Sequence, residues 1–478
     1  MKPKGKRHHT TTLLSFLFIA LIIMILLPSA GLADYGLLKE IIIHYNKEAL
    51  EKSLQDDSYR GEEGILRMRP EIAESLGMIV LMDPDYLEAK QLFEKAEDSL
   101  KKAKEILVIT EKDKTTEEYA QIVADLVLQY KKDLVTAQEK LKTYHSRLNL
   151  NPQLDERLND EISEKVMTLI LEQSFQKIDY GFRDALAYFF NICQGVENET
   201  EPLTTENVRF VNSVYNAFTE QASEQVLKTF ILGQGNNHSK QDESHEHDWK
   251  RALCEEASPF LQTLDEAFQK YGRQIYEMDP LIFVALIRQE SNFNPDAISY
   301  VGAAGLTQIM PKTAKSMGMQ KVHMPDYLED AESLLRREQK IRQEAIRTLL
   351  RINEENKLQN AKQSIILMRM SLVLGKKRKR LYDKYRNELL ALRADSRLQP
   401  SEAIEYGLKY FARLMKNQEG DISLALASYN AGPSRISTYN GIPPFEETVT
   451  FRNKVLRYYR AYLERTKDPI KTTQNRYP

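Results

Sequence analysis

The sequence predicts an all-α protein. Glycine and proline are scarce, at 19 and 17 of 478 residues, and long stretches are rich in Glu, Lys, Leu, Ala and Gln, which favour helix over strand. Apolar residues also recur at intervals of three and four. The chain is long enough for more than one core. Its 67 Lys and Arg nearly balance 69 Asp and Glu, so the overall charge gives no indication of a nucleic-acid partner.

The first 33 residues have the pattern of a secretory signal peptide. Four cations in the first seven residues precede an apolar run over 13–27, and Gly31 and Ala33 stand where a signal peptidase reads the chain. We expect cleavage after Ala33, with retention as a membrane anchor as the alternative. Both outcomes predict export to the periplasm or cell envelope. Export permits a disulfide between Cys193 and Cys254, a pairing that the sequence leaves open.

Residues 34–232 are expected to form a helical N-terminal domain, and no internal repeat is apparent in the chain. One predicted helix has an apolar seam with alternating spacings of four and three. The next helix opens with Thr115 and Glu118 in the arrangement of a capping box. We interpret this domain as helices that pack on one another without chemistry of their own. The seam residues are Ala89, Phe93, Ala96, Leu100, Ala103 and Leu107.

Residues 233–248 are polar and lack apolar periodicity, which indicates an exposed linker between two domains over residues 233–250. Three histidines in this segment offer metal ligands, but their spacing fits no closed tetrahedral site. We therefore predict a solvated linker, without a metal centre or a cofactor. The histidines are His238, His245 and His247.

A continuously apolar helix is predicted after the linker, and it ends in a candidate catalytic acid. Asp279 is the expected N-cap and Pro280 the first helical residue, and the seven apolar residues that follow indicate a helix buried on every side. Glu290 lies in its last turn. The negative end of the helix dipole and an apolar wall both disfavour the charged form, so we expect a raised pKa for Glu290. Such a group suits a general acid; an ordinary solvent-facing Glu is the alternative.

Two further segments place polar side chains beside turns. Gly302 and Gly305 flank a predicted tight turn, and Gln308 follows with an amide that offers donors and acceptors to a sugar. Tyr429 and Asn430 end another predicted helix, which a Gly-Pro pair terminates. The phenol and the amide are therefore expected to project from a defined corner.

These segments resemble the catalytic core of the soluble lytic transglycosylases, relatives of goose-type lysozyme that cut bacterial peptidoglycan. The resemblance covers about residues 265–320 and 398–465 and implies a lysozyme-like α-helical catalytic domain over 251–478. Its blocks, in the family's order, are Glu290-Ser291-Asn292-Phe293-Asn294-Pro295 with Gly302 to Pro311, then Ala425 to Pro433, then Gly441 to Phe445 with Glu447-Thr448. Phe451-Arg452 departs from the family's frequent Tyr-Val pair, which removes a hydroxyl and is expected to weaken a cleft contact.

The resemblance implies a peptidoglycan lytic transglycosylase. It implies cleavage of the β-1,4 bond between N-acetylmuramic acid and N-acetylglucosamine, with formation of 1,6-anhydro ends, in cell-wall remodelling or turnover. Glu290 is implied as the acid and then the base. Ser291 and Gln308 are implied to hold the sugar and Glu290, while Tyr429 and Asn430 are implied to line the cleft near the reacting bond. Phe293 and Met310 are interpreted as packing residues.

Two other functions stay open from the sequence. A lysozyme-like hydrolase needs a second carboxylate to activate water, and the motifs offer no convincing one, since we interpret Asp296 as a loop or helix-cap residue. A non-catalytic wall-binding scaffold is the other alternative, although the full set of Glu290, Gln308, Tyr429 and Asn430 argues against it.

A basic insertion separates the hallmark blocks, over about residues 324–395. Residues 330–395 contain 17 Lys and Arg but 9 Asp and Glu, and an apolar run over 365–374 precedes the cations of 376–380. We expect a helical hairpin that packs on the catalytic domain with a solvated charged face. The alternative is a contact surface for an anionic envelope polymer, a membrane surface or a protein partner. The expected substrate is a peptidoglycan glycan strand, and no nucleic acid is expected to bind.

Overall fold

A computed structural model describes residues 35–109, 115–178, 181–196, 198–227, 249–253, 255–271 and 278–467. Within these ranges the regular elements are helices, accompanied by three isolated β-bridges, which confirms the all-α prediction. None of the helices described combines the length and apolar character needed to cross a bilayer. The predicted signal peptide, residues 233–248 of the predicted linker and Cys254 lie outside the described residues. Cys193 is a buried free thiol in the structure.

The N-terminal lobe, defined here as the described residues from 35 to 227, contains eight α-helices in its described part. Two short 3₁₀ turns, Pro152–Leu154 and Glu156–Leu158, follow the fourth helix. The helices are α1 (Gly36–Gln55), α2 (Pro70–Ser75), α3 (Pro84–Val108), α4 (Thr116–Leu150), α5 (Asp160–Lys177), α6 (Phe182–Gln194), α7 (Val208–Gln221) and α8 (Glu224–Leu227).

The C-terminal lobe, defined as the described residues from 249 to 467, begins with two 3₁₀ segments, Trp249–Ala252 and Glu255–Phe260. A third 3₁₀ turn, Ser396–Leu398, lies between the longest helix of the lobe, which ends at Leu392, and the helix that begins at Pro400. Its α-helices are α9 (Leu261–Tyr271), α10 (Pro280–Ser291), α11 (Pro311–Ser316), α12 (Tyr327–Leu350), α13 (Lys357–Leu392), α14 (Pro400–Asn417), α15 (Ile422–Ala431), α16 (Pro433–Tyr439) and α17 (Glu446–Lys467).

Each lobe extends a long helical hairpin. In the N-terminal lobe α3 packs against α4, and the predicted capping box is present, because Thr115 and Glu118 bond each other's backbone amides. The predicted seam of α3 is buried at five of its six positions, with Leu100 partly buried. In the C-terminal lobe α12 packs against α13, so the basic insertion is a helical hairpin.

The two lobes share a local architecture that the sequence analysis missed. A loop with two left-handed glycines precedes each short helix, at Gly61 and Gly64 in one lobe and Gly302 and Gly305 in the other. Each loop contains a β-bridge, Glu63 to Met68 and Ala304 to Ile309. The equivalent residues are 241 positions apart, and residues 58–88 are identical to 299–329 at 14 of 31 positions. The expectation that the chain lacks an internal repeat is therefore wrong.

A buried arginine fastens each glycine loop to the base of its hairpin. Arg157 and Arg397 are each 1% exposed, and each binds both carboxylate oxygens of the aspartate two residues before it. Each also donates from Nη1 to two carbonyl oxygens of its loop. These belong to Gly61 (3.0 Å) and Met68 (2.8 Å) in the N-terminal lobe, and to Gly302 (3.0 Å) and Ile309 (3.3 Å) in the C-terminal lobe.

The lobes are in contact at two separate places. The apolar core of the N-terminal lobe includes four residues of the other lobe, namely Ala427, Ile436, Ile442 and Val449. The tips of the two hairpins form a second shared core, in which Leu107 and Val123 meet Leu349 and Ile365. The C-terminal lobe also has a core of its own around α10, and this core positions the candidate site.

Candidate active site

Helix α10 is built as the sequence predicts. Asp279 caps it by accepting a hydrogen bond from the Leu281 amide at 2.9 Å, and Pro280 occupies the first turn. All seven apolar residues of 281–287 are buried. The helix ends at Ser291, because Asn292 adopts a left-handed conformation with φ of 48°. A buried helix that stops here presents its last turn at the edge of the core.

That last turn places Glu290 in an open groove of about 520 Å³. Ser291 and Gln308 line the same groove. Burial raises the pKa of Glu290 well above its ordinary value, and the negative charge of Glu447 raises it further. The direction agrees with the sequence-based expectation. The carboxyl group is therefore suited to hold a proton at a pH where an exposed glutamate is ionised.

The glycine loop brings Gln308 beside the acid. Gly305 has a φ of 76°, and a Cβ on it would lie 1.7 Å from the carbonyl oxygen of Arg397, so only glycine fits. The Gln308 amide nitrogen donates to the carbonyl oxygens of Ala297 and Gly305, both at 2.8 Å. Both of its donors are thereby committed to the loop, which leaves the amide oxygen as the group available to a ligand.

Helix α15 delivers Tyr429 and Asn430. It ends as predicted, with Gly432 at the C-cap and the next helix beginning at Pro433. The Tyr429 hydroxyl donates to the carbonyl oxygen of Thr307 at 2.7 Å. Burial raises the pKa of Tyr429 well above its ordinary value, and the nearby charge of Glu290 adds to this shift. Tyr429 is therefore a neutral hydroxyl close to the acid.

Asn430 is linked to the third hallmark block rather than to Glu290 directly. Its Oδ1 accepts a hydrogen bond from the Thr448 hydroxyl at 2.8 Å. Ser291 bonds within its own helix, because its hydroxyl donates to the carbonyl oxygen of Ile287 at 3.2 Å. The structure thus gathers Ser291 and Gln308 around Glu290 and joins Asn430 to the first turn of α17.

The sequence reasoning missed Glu447 as a member of the site. It lies in the first turn of α17, is exposed, and acts on Glu290 through its charge. The nearby acidic residue considered from the sequence, Asp296, instead pairs with Arg393 at 3.3 Å in an exposed loop. The available signal was a carboxylate in the first turn of the helix that begins in the third block. That helix, α17, packs against α10, which carries Glu290.

The packing interpretation is correct for Phe293, which is buried in the core around α10. The Phe451-Arg452 pair, where the sequence departs from the family pattern, lies apart from the residues that line the groove. Phe451 is also buried in that core. Arg452 points to the other lobe, where its guanidinium makes a bidentate ion pair with Asp184. The arginine therefore serves the contact between lobes.

Sequence comparisons identify the domain that contains these residues. The family model described as Transglycosylase SLT domain matches residues 266–335 and 376–450. A transglycosylase of Enterobacteria phage PRD1 is 44% identical over 50 residues, which are 10% of this chain and 19% of that protein. A membrane-bound lytic murein transglycosylase C of Haemophilus influenzae (strain PittEE) is 40% identical over 58 residues, 12% of this chain and 15% of that protein. The chain thus spans less than a fifth of the length of these relatives.

Two solved structures align at low similarity. A lytic transglycosylase Slt inactive mutant from Pseudomonas aeruginosa has a TM-score of 0.25 at 14% identity, over 97% of this chain and 77% of that one. The 70 kDa soluble lytic transglycosylase of Escherichia coli has a TM-score of 0.28 at 14% identity, over 97% and 76%. The family match and the sequence relatives together show that the C-terminal lobe carries a transglycosylase SLT domain.

Proposed function

We propose that this protein is a lytic transglycosylase that cleaves the β-1,4 bond between N-acetylmuramic acid and N-acetylglucosamine in peptidoglycan. The observation that carries the proposal is Glu290, a carboxyl group with a raised pKa at the end of a buried helix, in a groove within the SLT domain. A general acid works best when its pKa lies near the working pH. Burial and the charge of Glu447 both act in that direction.

The proposed reaction uses Glu290 twice. Its proton passes to the glycosidic oxygen as the bond from that oxygen to the muramic C1 breaks, and the substrate's acetamide stabilises the cation that develops. The Glu290 carboxylate then removes the proton of the C6 hydroxyl, whose oxygen bonds to C1 and closes a 1,6-anhydro ring. Water is not consumed. Glu290 ends protonated again and ready for another cycle.

The other groups have supporting roles in this proposal. Gln308 offers its amide oxygen to a sugar hydroxyl, and Ser291 shares the groove with the acid. Tyr429 and Asn430 shape the side of the cleft that belongs to α15. Burial and, to a smaller extent, the charge of Glu447 keep Glu290 protonated, and the negative charge of Glu447 favours the developing cation.

Hydrolysis is a second candidate, because Glu447 is a second carboxylate whose charge acts on Glu290. In that reaction Glu447 would take a proton from a water molecule that attacks C1, while Glu290 acts as the acid.

A role in cell-wall remodelling or turnover, and export to the periplasm or cell envelope, belong to the proposal of a lytic transglycosylase. They are supported by the nature of the substrate and by the pattern of residues 1–33.

The reaction products distinguish a lytic transglycosylase from a hydrolase. The mature protein and a Glu290→Gln variant are incubated with purified peptidoglycan, and the released muropeptides are weighed by mass spectrometry. The proposal expects anhydro products from the wild type and a rate at least about 100-fold lower from the variant. Reducing-end products would establish hydrolysis instead. An absence of products from both proteins would favour a wall-binding scaffold.

A further inference from the structure

The N-terminal lobe repeats the architecture of the catalytic lobe without its acid. At the spacing of 241 residues that relates the two glycine loops, the position of Glu290 falls on Ala49 of α1, which has no carboxyl group. Arg67 stands where the other lobe has Gln308, with a matching left-handed φ of 49° against 46°. The N-terminal lobe therefore shares the fold of the catalytic lobe but not its site residues. We infer that the N-terminal lobe has a different function.

The equivalent of the Tyr429 hydroxyl is also absent from the N-terminal lobe. Asn207 donates to Oδ1 of Asn191 at 2.9 Å, in the way that Thr448 donates to Oδ1 of Asn430 at 2.8 Å. The residue before Asn191 is Phe190, which has no hydroxyl. This lobe therefore preserves the scaffold of the third block, while the positions equivalent to Glu290, Gln308 and Tyr429 carry other side chains.

What the N-terminal lobe does contact is the pair of helices α15 and α17, which carry Tyr429 and Glu447. Asp184 of α6 receives two hydrogen bonds from the Arg452 guanidinium of α17, one of them at 2.6 Å. Both residues are 2% exposed. The same guanidinium donates to the Ser423 hydroxyl in the first turn of α15, at 2.8 Å and 3.2 Å. One buried ion pair thus joins α6 to both α15 and α17.

Neighbouring contacts strengthen the same junction. Arg183 donates to the Asp421 carboxylate at 2.9 Å, and Asp421 is the N-cap of α15. Asn212 and Asn453 are equivalent residues of the two lobes, and each reaches a backbone carbonyl of the other lobe. Asn212 donates to Ile442 at 2.8 Å, and Asn453 donates to Leu203 at 2.7 Å. The contact is therefore reciprocal, as expected for two copies of one fold that face each other.

We propose that Asp184 and Arg452 are a positioning pair, through which a non-catalytic second copy of the lobe holds α15 and α17 in register with Glu290. These two helices carry Tyr429 and Glu447. The inference rests on the proposed function, because it concerns the geometry of the same site. It assigns the N-terminal lobe a role in catalysis without any contact with the reacting bond.

The pair is expected to act on the acid through Glu447. The titratable and charged groups that interact with Glu290 or line its groove are Glu447 from α17, Tyr429 from α15 and, in its own helix, Arg288, which stacks on Tyr458 of α17. Loss of the Asp184–Arg452 ion pair lets the first turn of α17 relax, which moves the charge of Glu447 away from Glu290. The pKa of Glu290 then falls toward its ordinary value.

The test compares Asp184→Asn with the wild type on soluble glycan strands. We expect kcat/KM per folded molecule to fall at least about tenfold, mainly in kcat, because a small misplacement of reacting groups is costly. The alkaline limb of the pH profile is expected to move to lower pH. Ser423→Ala, which removes a milder contact of Arg452 and is expected to fold normally, should move the limb in the same direction by a smaller amount.

Asp155→Asn is the matched control. It also removes a buried carboxylate from an arginine, Arg157, but in the interior of the N-terminal lobe and away from α15 and α17. It is expected to lower stability and leave the pH profile of the folded enzyme unchanged. The inference is wrong if Asp184→Asn and Ser423→Ala keep the wild-type profile and lose activity only in proportion to unfolded protein. Inactivity of the wild type itself would instead count against the proposed function.

Discussion

Glu290 lowers the stability of the protein that it serves. Its pKa is raised in the folded state above an unfolded value of about 4.3, so the folded protein binds the proton more tightly than the unfolded chain. The free energy of unfolding therefore decreases as the pH rises from the unfolded-state pKa of Glu290 to its folded-state pKa. We predict a higher free energy of unfolding for Glu290→Gln than for the wild type at pH 7. Urea titrations at pH 7 and below pH 4 check this, and an equal difference at both pH values would contradict it.

Glu447 is predicted to control the pH range of the acid. Glu290 has to be protonated to act, and activity is lost as the pH rises through its pKa. Glu447→Gln removes a charge that raises this pKa, so the alkaline limb of kcat/KM should move to lower pH. Glu446→Gln is the matched control, since it changes the adjacent exposed carboxylate of the same helix turn. A limb that shifts equally in both variants, or in neither, would show that Glu447 does not act on Glu290.

The glycine loop gives a prediction about stability. Gly305→Ala places a methyl group 1.7 Å from the Arg397 carbonyl oxygen in a left-handed backbone, and we expect a loss of more than about 2 kcal/mol. Gly318→Ala is the control, because Gly318 is also left-handed but its Cβ would meet no atom within 4 Å. Its cost is expected to be about 1 kcal/mol. Thermal unfolding compares the two, and equal losses would mean that backbone conformation alone decides.

At the scale of elements, the hairpin tips are predicted to stabilise the molecule without taking part in the chemistry. Leu349 is fully buried in the core that the two hairpins share, whereas its neighbour Leu350 is 41% exposed. We expect Leu349→Ala to cost about 2–4 kcal/mol and Leu350→Ala much less. The kcat/KM of the folded fraction should stay at the wild-type value in both. A fall in kcat/KM for Leu349→Ala alone would instead tie the hairpins to the groove.

Local signals explain which elements the sequence could predict. The caps at Asp279 and Thr115 and the stop at Gly432 depend on neighbours within four residues, and all three are present in the structure. Glu447 and Arg452 could not be placed in the same way, because their partners are more than 150 residues away. Long-range pairing of this kind leaves no periodic pattern in a single sequence.

The internal repeat is present in the sequence, but it was missed because its identities are confined to one short segment. Its clearest identities lie in the glycine loop and the start of the following hairpin, 241 residues apart, while the helices between them have diverged. Apolar periodicity is shared by any pair of amphipathic helices, so it does not distinguish a copy from an unrelated helix. The buried arginines, Arg157 and Arg397, are the stronger signal, because they make the same contacts in each lobe.

For the whole molecule, the contacts between lobes predict a single unfolding transition. The core of the N-terminal lobe includes residues of α15, α16 and α17, and the hairpin tips form a second shared core. Separation of the lobes would expose both cores and leave the buried Arg452 without Asp184, which is costly. The lobes are therefore expected to unfold together rather than one after the other.

Trp249 makes this prediction measurable, because it is the one tryptophan of the chain and lies in the core of the C-terminal lobe. Its fluorescence reports that lobe, while far-UV circular dichroism reports both. We expect the two transitions to coincide, and Leu186→Ala, a core change of about 2–5 kcal/mol in the N-terminal lobe, to lower both midpoints together. Leu169→Ala, at an exposed position of the same lobe, is the control. If Leu186→Ala lowers the midpoint by circular dichroism while the Trp249 midpoint stays in place, the lobes unfold independently.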